Sequence, residues 1–137
     1  MKVVLDTNVL LVAIGKKSRY RPIWLSFLSG HYQLILSDEI LYEYMEVFKE
    51  HAVPGAAETI LEIFADSPDT IHQVIFYNWN AITADPDDNK FFDAAVAANA
   101  DYLVTNDSHF NEVKTLSFPK VTIISADAFL NLLSTLP

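Results

Sequence analysis

The chain has no cysteine. That absence excludes disulfides, thiolate metal sites and a cysteine nucleophile. Basic charge is scarce: 9 Lys and Arg stand against 18 Asp and Glu, a formal net charge of −9. Such a balance opposes broad electrostatic binding to nucleic acid. The uninterrupted apolar run Val9 to Ile14 is far shorter than the roughly 20 residues a membrane helix needs. Lys2 and its apolar neighbours imitate a secretory leader, but Asp6 and Asn8 break the run. No small-residue cleavage site follows before Lys16-Lys17, so targeting is not expected and the cytoplasm is. Repeats, low-complexity tracts and linkers are also missing. With 51% hydrophobic and 20% charged residues over 137 positions, the expectation is one folded domain covering 1–137.

Short apolar runs alternate with amphipathic stretches. Residues 2–6, 32–36, 101–105 and 121–124 read as strands, and 72–77 as a further short one. Residues 8–14, 22–29, 38–51, 55–65, 86–99 and 126–133 read as helices. This alternation predicts an α/β fold, a three-layer α/β/α sandwich around a central parallel sheet of four to five strands. Such sheets bind ligands beyond the carboxyl ends of their strands.

Four separated carboxylates stand at the ends or edges of these segments. Asp6 ends Val3-Val4-Leu5, and Asp107 closes Tyr102-Leu103-Val104-Thr105-Asn106. Topology alone therefore sends both to one edge of the sheet. Glu43 borders the apolar face Ile40, Tyr44, Val47 and Phe48 of the helix opened by Ser37-Asp38-Glu39. Glutamates on such a helix are usually a solvated face, so position favours Glu43 only modestly. Asp88 follows Asp85-Pro86-Asp87, where capping and the helix dipole explain Asp85 and Asp87. At about 100° per residue, Asp88 projects with Phe91, Phe92 and Ala95, whereas Asp93 points away towards the expected polar side. Four converging carboxylates repel one another, and hard divalent cations with oxygen ligands are the usual remedy.

Other residues are readable in two ways. Lys16, Lys17, Arg19 and Arg21 place four of the nine basic residues in six positions. They are candidates for contact with a nucleic-acid backbone, or simply a solvated loop. Asn8 and Thr105 can steady a carboxylate or a water beside the site; equally, Asn8 can cap a helix and Thr105 can bond at a strand end. His31, His51 and His72 show no ligand-like spacing, and His109 lies nearest to the acids.

Val4-Leu5-Asp6-Thr7-Asn8-Val9-Leu10 resembles the opening motif of PIN-domain ribonucleases. Ser37-Asp38-Glu39-Ile40-Leu41-Tyr42-Glu43-Tyr44 is similar to their second motif, with its functional acid at Glu43. Asp85-Pro86-Asp87-Asp88-Asn89-Lys90-Phe91 resembles the third, and Val104-Thr105-Asn106-Asp107-Ser108-His109-Phe110 the fourth. Each motif is short, but four in order over nearly the whole chain are specific. Within the superfamily, the chain resembles toxin components of bacterial toxin–antitoxin pairs of the VapC-like kind. One departure is His109, where many relatives carry an aspartate.

The resemblance implies a PIN-like sandwich and an acidic pocket cutting RNA with one or two Mg²⁺ or Mn²⁺ ions. It further implies a homodimer and a small inhibitory antitoxin. Asp6, Asp88 and Asp107 are then the expected metal ligands, with Glu43 completing the catalytic quartet. The competing expectation is a PIN-like module that binds RNA or protein without cutting. A degenerate module would have lost one of these acids, and this chain keeps all four.

Overall fold

In the computed structural model, which describes residues 1–137, five strands form one sheet. They are β1 (Lys2–Leu5), β2 (Gln33–Leu36), β3 (Thr70–His72), β4 (Tyr102–Val104) and β5 (Ile123–Ile124). Their order is β3-β2-β1-β4-β5, and every pairing is parallel. The helices are α1 (Thr7–Ala13), α2 (Arg21–Leu28), α3 (Asp38–His51), α4 (Ala56–Asp66), α5 (Asn89–Ala97), α6 (Asn111–Lys114) and α7 (Ala126–Ser134). Packed against the sheet, they complete the three-layer α/β fold that the alternation of segments predicts. No helix is long and apolar enough to cross a membrane.

The central strand explains the pattern. Val3, Val4 and Leu5 are wholly buried, because helices cover both faces of a parallel sheet and alternation gives way to a continuous apolar run. From β1 the chain steps outward to β2 and β3, then returns to β4 on the other side of β1. The order reverses there, so a crevice opens beyond the carboxyl ends of β1 and β4. Asp6 follows β1 directly, and Thr105 to Asp107 follow β4.

Local signals set the helix starts. The Ser37 hydroxyl accepts from the Ile40 amide and caps α3, whose first turn holds Asp38 and Glu39 and whose last turn holds Lys49 and His51. Charges so placed complement the helix dipole. At Gly30 φ is +77°, and an added Cβ would lie 3.2 Å from Asp69 Oδ2, so glycine suits this turn between α2 and β2.

An aromatic cluster ties α2, α3 and α4 together: Phe64 lies 6.1 Å from Trp24, 5.9 Å from Phe27 and 6.3 Å from Tyr44, ring to ring. Phe64→Ala is expected to cost about 3–5 kcal/mol, by lost transfer energy and the cavity left behind. Urea unfolding measures this as a lowered midpoint.

Three expectations shift. The strand expected over 72–77 is Thr70–His72 instead, paired with Leu34 to Leu36. The apolar residues beyond it do not enter the sheet: Val74, Phe76 and Tyr77 are exposed, Phe76 at 92%. The helix expected over 86–99 begins as a 3-10 turn, Pro86–Asp88, and continues as α5. The 3-10 turn Ser108–Phe110 and α6 had no counterpart among the expected elements.

Candidate active site

The reversal point holds the acids. Asp6 extends the sheet by one bond, its amide donating to the Val104 carbonyl at 3.0 Å. Its side chain then turns to cap α1. Oδ1 accepts from the Thr7 amide at 2.8 Å, and Oδ2 accepts from the Thr105 hydroxyl at 2.7 Å. Burial raises the Asp6 pKa; the bonds from Thr105 and Thr7 oppose the rise, while the nearby charges of Asp107 and Glu43 add to it.

Glu43 reaches the same place from α3. Its Oε2 accepts a hydrogen bond from the Thr7 hydroxyl, and its Oε1 lies 2.9 Å from Lys90 Nζ. The next residue, Tyr44, is buried and donates its hydroxyl to the Leu5 carbonyl. Helix α3 is thereby fastened to the end of β1, with Glu43 held beside the first turn of α1.

Asp88, Asp107 and His109 form the opposite wall. The Asp107 amide donates to Thr105 Oγ1 at 3.0 Å. One hydroxyl thus joins the Asp6 carboxylate to the Asp107 backbone. The His109 amide donates to Asp107 Oδ1 at 2.9 Å, and His109 Nδ1 lies 3.2 Å from both Asp88 Oδ2 and Asp107 Oδ1. Asp88 is buried, and its carboxyl pKa is pushed up to about 6 by that burial and by the charges of Asp107, Asp6 and Asp85, against a lowering bond from His109. Asp85 uses Oδ1 to accept from the Asp87 amide at 3.1 Å, while Oδ2 stands 3.9 Å from His109 Nδ1.

No Lys or Arg neutralises these aspartates. The ion pairs of basic side chains other than histidine are Lys90 with Glu43 and Arg19 with Asp127. Oxygen donors crowded without a counter-charge suit a hard divalent cation. Asp85, Asp88 and His109 each offer a ligand atom within 4.8 Å of the others.

The structure thus brings Asp6, Glu43, Asp88 and Asp107 together, with Thr105 bonded between two of them. Asn8 is exposed on the first turn of α1 and Asp6 provides the cap. Asp93 turns away from Asp88 but not to solvent. It is 4% exposed, and its Oδ1 accepts from the Trp79 amide at 3.1 Å. Burial raises its pKa, the Trp79 bond lowers it and Glu39 raises it further. Asp93 therefore fastens the 73–84 segment over α5.

In the basic loop, Arg19 pairs with Asp127 at 2.9 Å and Arg21 donates to the Ile14 carbonyl, while Lys16 and Lys17 are exposed. Asp127 lies in the first turn of α7, and the Ala126 amide donates to Asn106 Oδ1 at 3.0 Å. The loop consequently sits on the same edge of the sheet as Asp107. A hollow at the other edge, lined by Leu28, Thr59, Glu62 and Asp66, contains none of the four acids.

Thr7, Lys90 and Asp85 are additions to the residues singled out from sequence. Adjacency to Asp6 was an available signal for Thr7. Nothing local pointed from Lys90 to Glu43, 47 positions away.

Thr105→Val removes the bridging hydroxyl but preserves the side chain's shape. Leaving Asp6 Oδ2 and the Asp107 amide unpartnered is expected to cost about 1–3 kcal/mol. Urea unfolding beside the unchanged chain checks the loss.

Comparison with known proteins agrees with this architecture. No curated protein sequence matches the chain. Among solved structures, VapBC2 from Rickettsia felis, bound to a DNA fragment from their promoter, is similar at a TM-score of 0.63 and 21% identity. The likeness covers 91% of this chain and 98% of that one and shows a shared fold. The PIN domain family matches residues 2–109. That span contains the first three motifs, the fourth as far as His109, and all four converging acids, and the chain belongs to the PIN-domain family.

Proposed function

We propose that this chain is a divalent-metal-dependent endoribonuclease, the toxin of a toxin–antitoxin pair, with Asp6, Glu43, Asp88 and Asp107 as its catalytic quartet. The observation that carries the reading is the convergence of these acids at the sheet's reversal point without a Lys or Arg on the three aspartates. Repulsion among buried carboxylates is a standing cost of the metal-free fold, and function gives a reason to keep it.

Asp6, Asp88 and Asp107 would hold one or two Mg²⁺ or Mn²⁺ ions. When bound, such an ion lowers the pKa of a water and stabilises charge on a phosphoryl oxygen. The protein's part is placement. Thr105 aims the Asp6 carboxylate and spaces Asp107 from it. Thr7 and Lys90 hold Glu43 from two sides, so that its carboxylate is presented to the cluster in one orientation. Lys16, Lys17, Arg19 and Arg21 offer backbone contacts for RNA on the same edge. Lys16 and Lys17 are free to do so, whereas Arg19 must share itself with Asp127.

A small antitoxin and a second copy of the chain are the proposed protein partners, in the cytoplasm, with residues 1–137 acting as one PIN-like unit. The VapBC2 likeness supports the antitoxin assignment through fold.

The test is cleavage of labelled single-stranded and hairpin RNAs, with DNA controls, by purified protein in Mg²⁺, Mn²⁺ or EDTA. Metal-dependent cutting of RNA, lost in Asp6→Asn, is expected. Cutting unaffected by EDTA or by that substitution would overturn the reading, and so would cutting confined to DNA. RNA binding without cutting would instead favour the non-catalytic module.

A further inference from the structure

His109 is the one nitrogen donor among these oxygens, and its placement is specific. Its amide is tied to Asp107 Oδ1, and its neighbour Phe110 is fully buried, 6.5 Å from the Phe91 ring. The imidazole is therefore anchored through its own backbone and the next residue. Nδ1 faces inward at 3.2 Å from Asp88 Oδ2, 3.2 Å from Asp107 Oδ1 and 3.9 Å from Asp85 Oδ2. Nε2 makes no hydrogen bond within the protein, and the ring is 41% exposed. A proton on Nε2 can thus be met by water, leaving the Nδ1 lone pair aimed at the acids.

Asp85 divides its two oxygens in the same manner. Oδ1 satisfies the 3-10 turn by accepting from the Asp87 amide, and Oδ2 remains on the side of His109. Capping explains the first oxygen and says nothing about the second.

We propose that His109 Nδ1 and Asp85 Oδ2, with Asp88 and Asp107, make the centre a mixed nitrogen–oxygen site that ranks Mn²⁺ above Mg²⁺. The proposal rests on the metal-dependent reading above and adds two ligands and a preference to it. Mg²⁺ favours an all-oxygen shell and gives up its waters reluctantly, while imidazole donors favour later divalent metals. Replacing an oxygen donor by imidazole therefore penalises Mg²⁺ more than Mn²⁺.

The experiment is pulsed EPR of Mn²⁺ added to the metal-free protein, with calorimetric titration of Mn²⁺ and Mg²⁺, on the unchanged chain and on His109→Gln. Nitrogen modulation from a directly bound imidazole is expected in the unchanged chain and is absent from His109→Gln. That variant should also lose Mn²⁺ affinity by about tenfold, as when the shell of a metal site is altered, and lose less for Mg²⁺. Asp85→Asn serves as a second variant: weaker Mn²⁺ binding with the nitrogen signal retained. Bound Mn²⁺ without nitrogen modulation overturns the proposal and leaves the carboxylate site standing. Modulation that persists in His109→Gln overturns it equally, since the nitrogen would belong to another residue. Failure of both ions to bind at all overturns the metal-dependent reading itself.

Discussion

Asp6→Asn is expected to lower RNA cleavage by about 10²–10⁴, the scale of losing one electrostatic or acid–base contribution, with little change in folding. The two effects separate because Asp6 has two tasks. As a cap it needs one acceptor oxygen for the Thr7 amide, and asparagine is an equally good cap. The Thr105 hydroxyl, which now donates to Oδ2, can turn and accept from the new amide nitrogen. What is lost is negative charge at the end of β1, where a cation is to be held. Single-turnover cleavage in saturating Mn²⁺, beside thermal unfolding of both proteins, measures the two effects independently. A variant that still cuts RNA at the original rate would remove Asp6 from the quartet.

The metal-free protein is expected to be more stable at pH 5 than at pH 8, and Asp88→Asn is expected to abolish most of the difference. The Asp88 carboxyl rises from an ordinary 3.8 to about 6 in the fold. Between these values the folded chain holds a proton that the unfolded chain has released. Stability is therefore greatest below about pH 4 as far as this group is concerned, and falls as pH climbs through 6. At about 1.4 kcal/mol per pKa unit, and with partial access to water, the penalty at neutral pH is on the order of 2 kcal/mol. Asp6, also raised by burial, acts in the same direction.

Glu112 acts oppositely. Its carboxylate is pulled below the usual value by the Thr83 hydroxyl and by the Ala84 and Thr83 amides. Its contribution is lost only on acidification below about 4.5, outside the window from 5 to 8. Asparagine at 88 carries no charge to repel Asp107, Asp6 and Asp85 and still offers an acceptor to His109. Asp88→Asn should thus stabilise the metal-free protein at pH 8 while disabling it. Urea unfolding across this pH range decides the matter, and a variant less stable at pH 8 than the unchanged chain would contradict the repulsion. Added Mn²⁺ should raise the stability of the unchanged chain and leave the variant nearly unmoved.

The sequence revealed those features whose causes are local. Val3-Val4-Leu5 and Leu103-Val104 are continuous apolar runs because helices cover both faces of the sheet, so Asp6 and Asp107 were placed by strand ends alone. Ser37 announced the start of α3 through a cap that the structure contains; the Ser125 cap of α7 emerged only with the fold. Asp88 could be separated from Asp93 by helical phase, although the same phase sent Asp93 towards solvent. The error there is non-local: the 73–84 segment folds over α5 and buries Asp93 under the Trp79 amide. Periodicity within one helix carries no information about a loop that crosses it.

The strand at 70–72 was displaced for a related reason. Val74, Phe76 and Tyr77 have strand-like composition but lie exposed, while pairing with β2 selected the three residues before them. Long-range pairs were the least legible. Thr7 and Lys90 meet on Glu43, 36 and 47 positions apart, and His109 meets Asp88 across 21. Only the fold makes these residues neighbours.

In the proposed site, Asp6, Asp88 and Asp107 share a metal ion. The most direct measurement is the anomalous difference density of crystals grown or soaked in Mn²⁺. A peak is expected within bonding distance of carboxylate oxygens of those three residues, at the carboxyl ends of β1 and β4. A fully occupied crystal with no peak there, or with its peak only at carboxylates elsewhere on the surface, would contradict it.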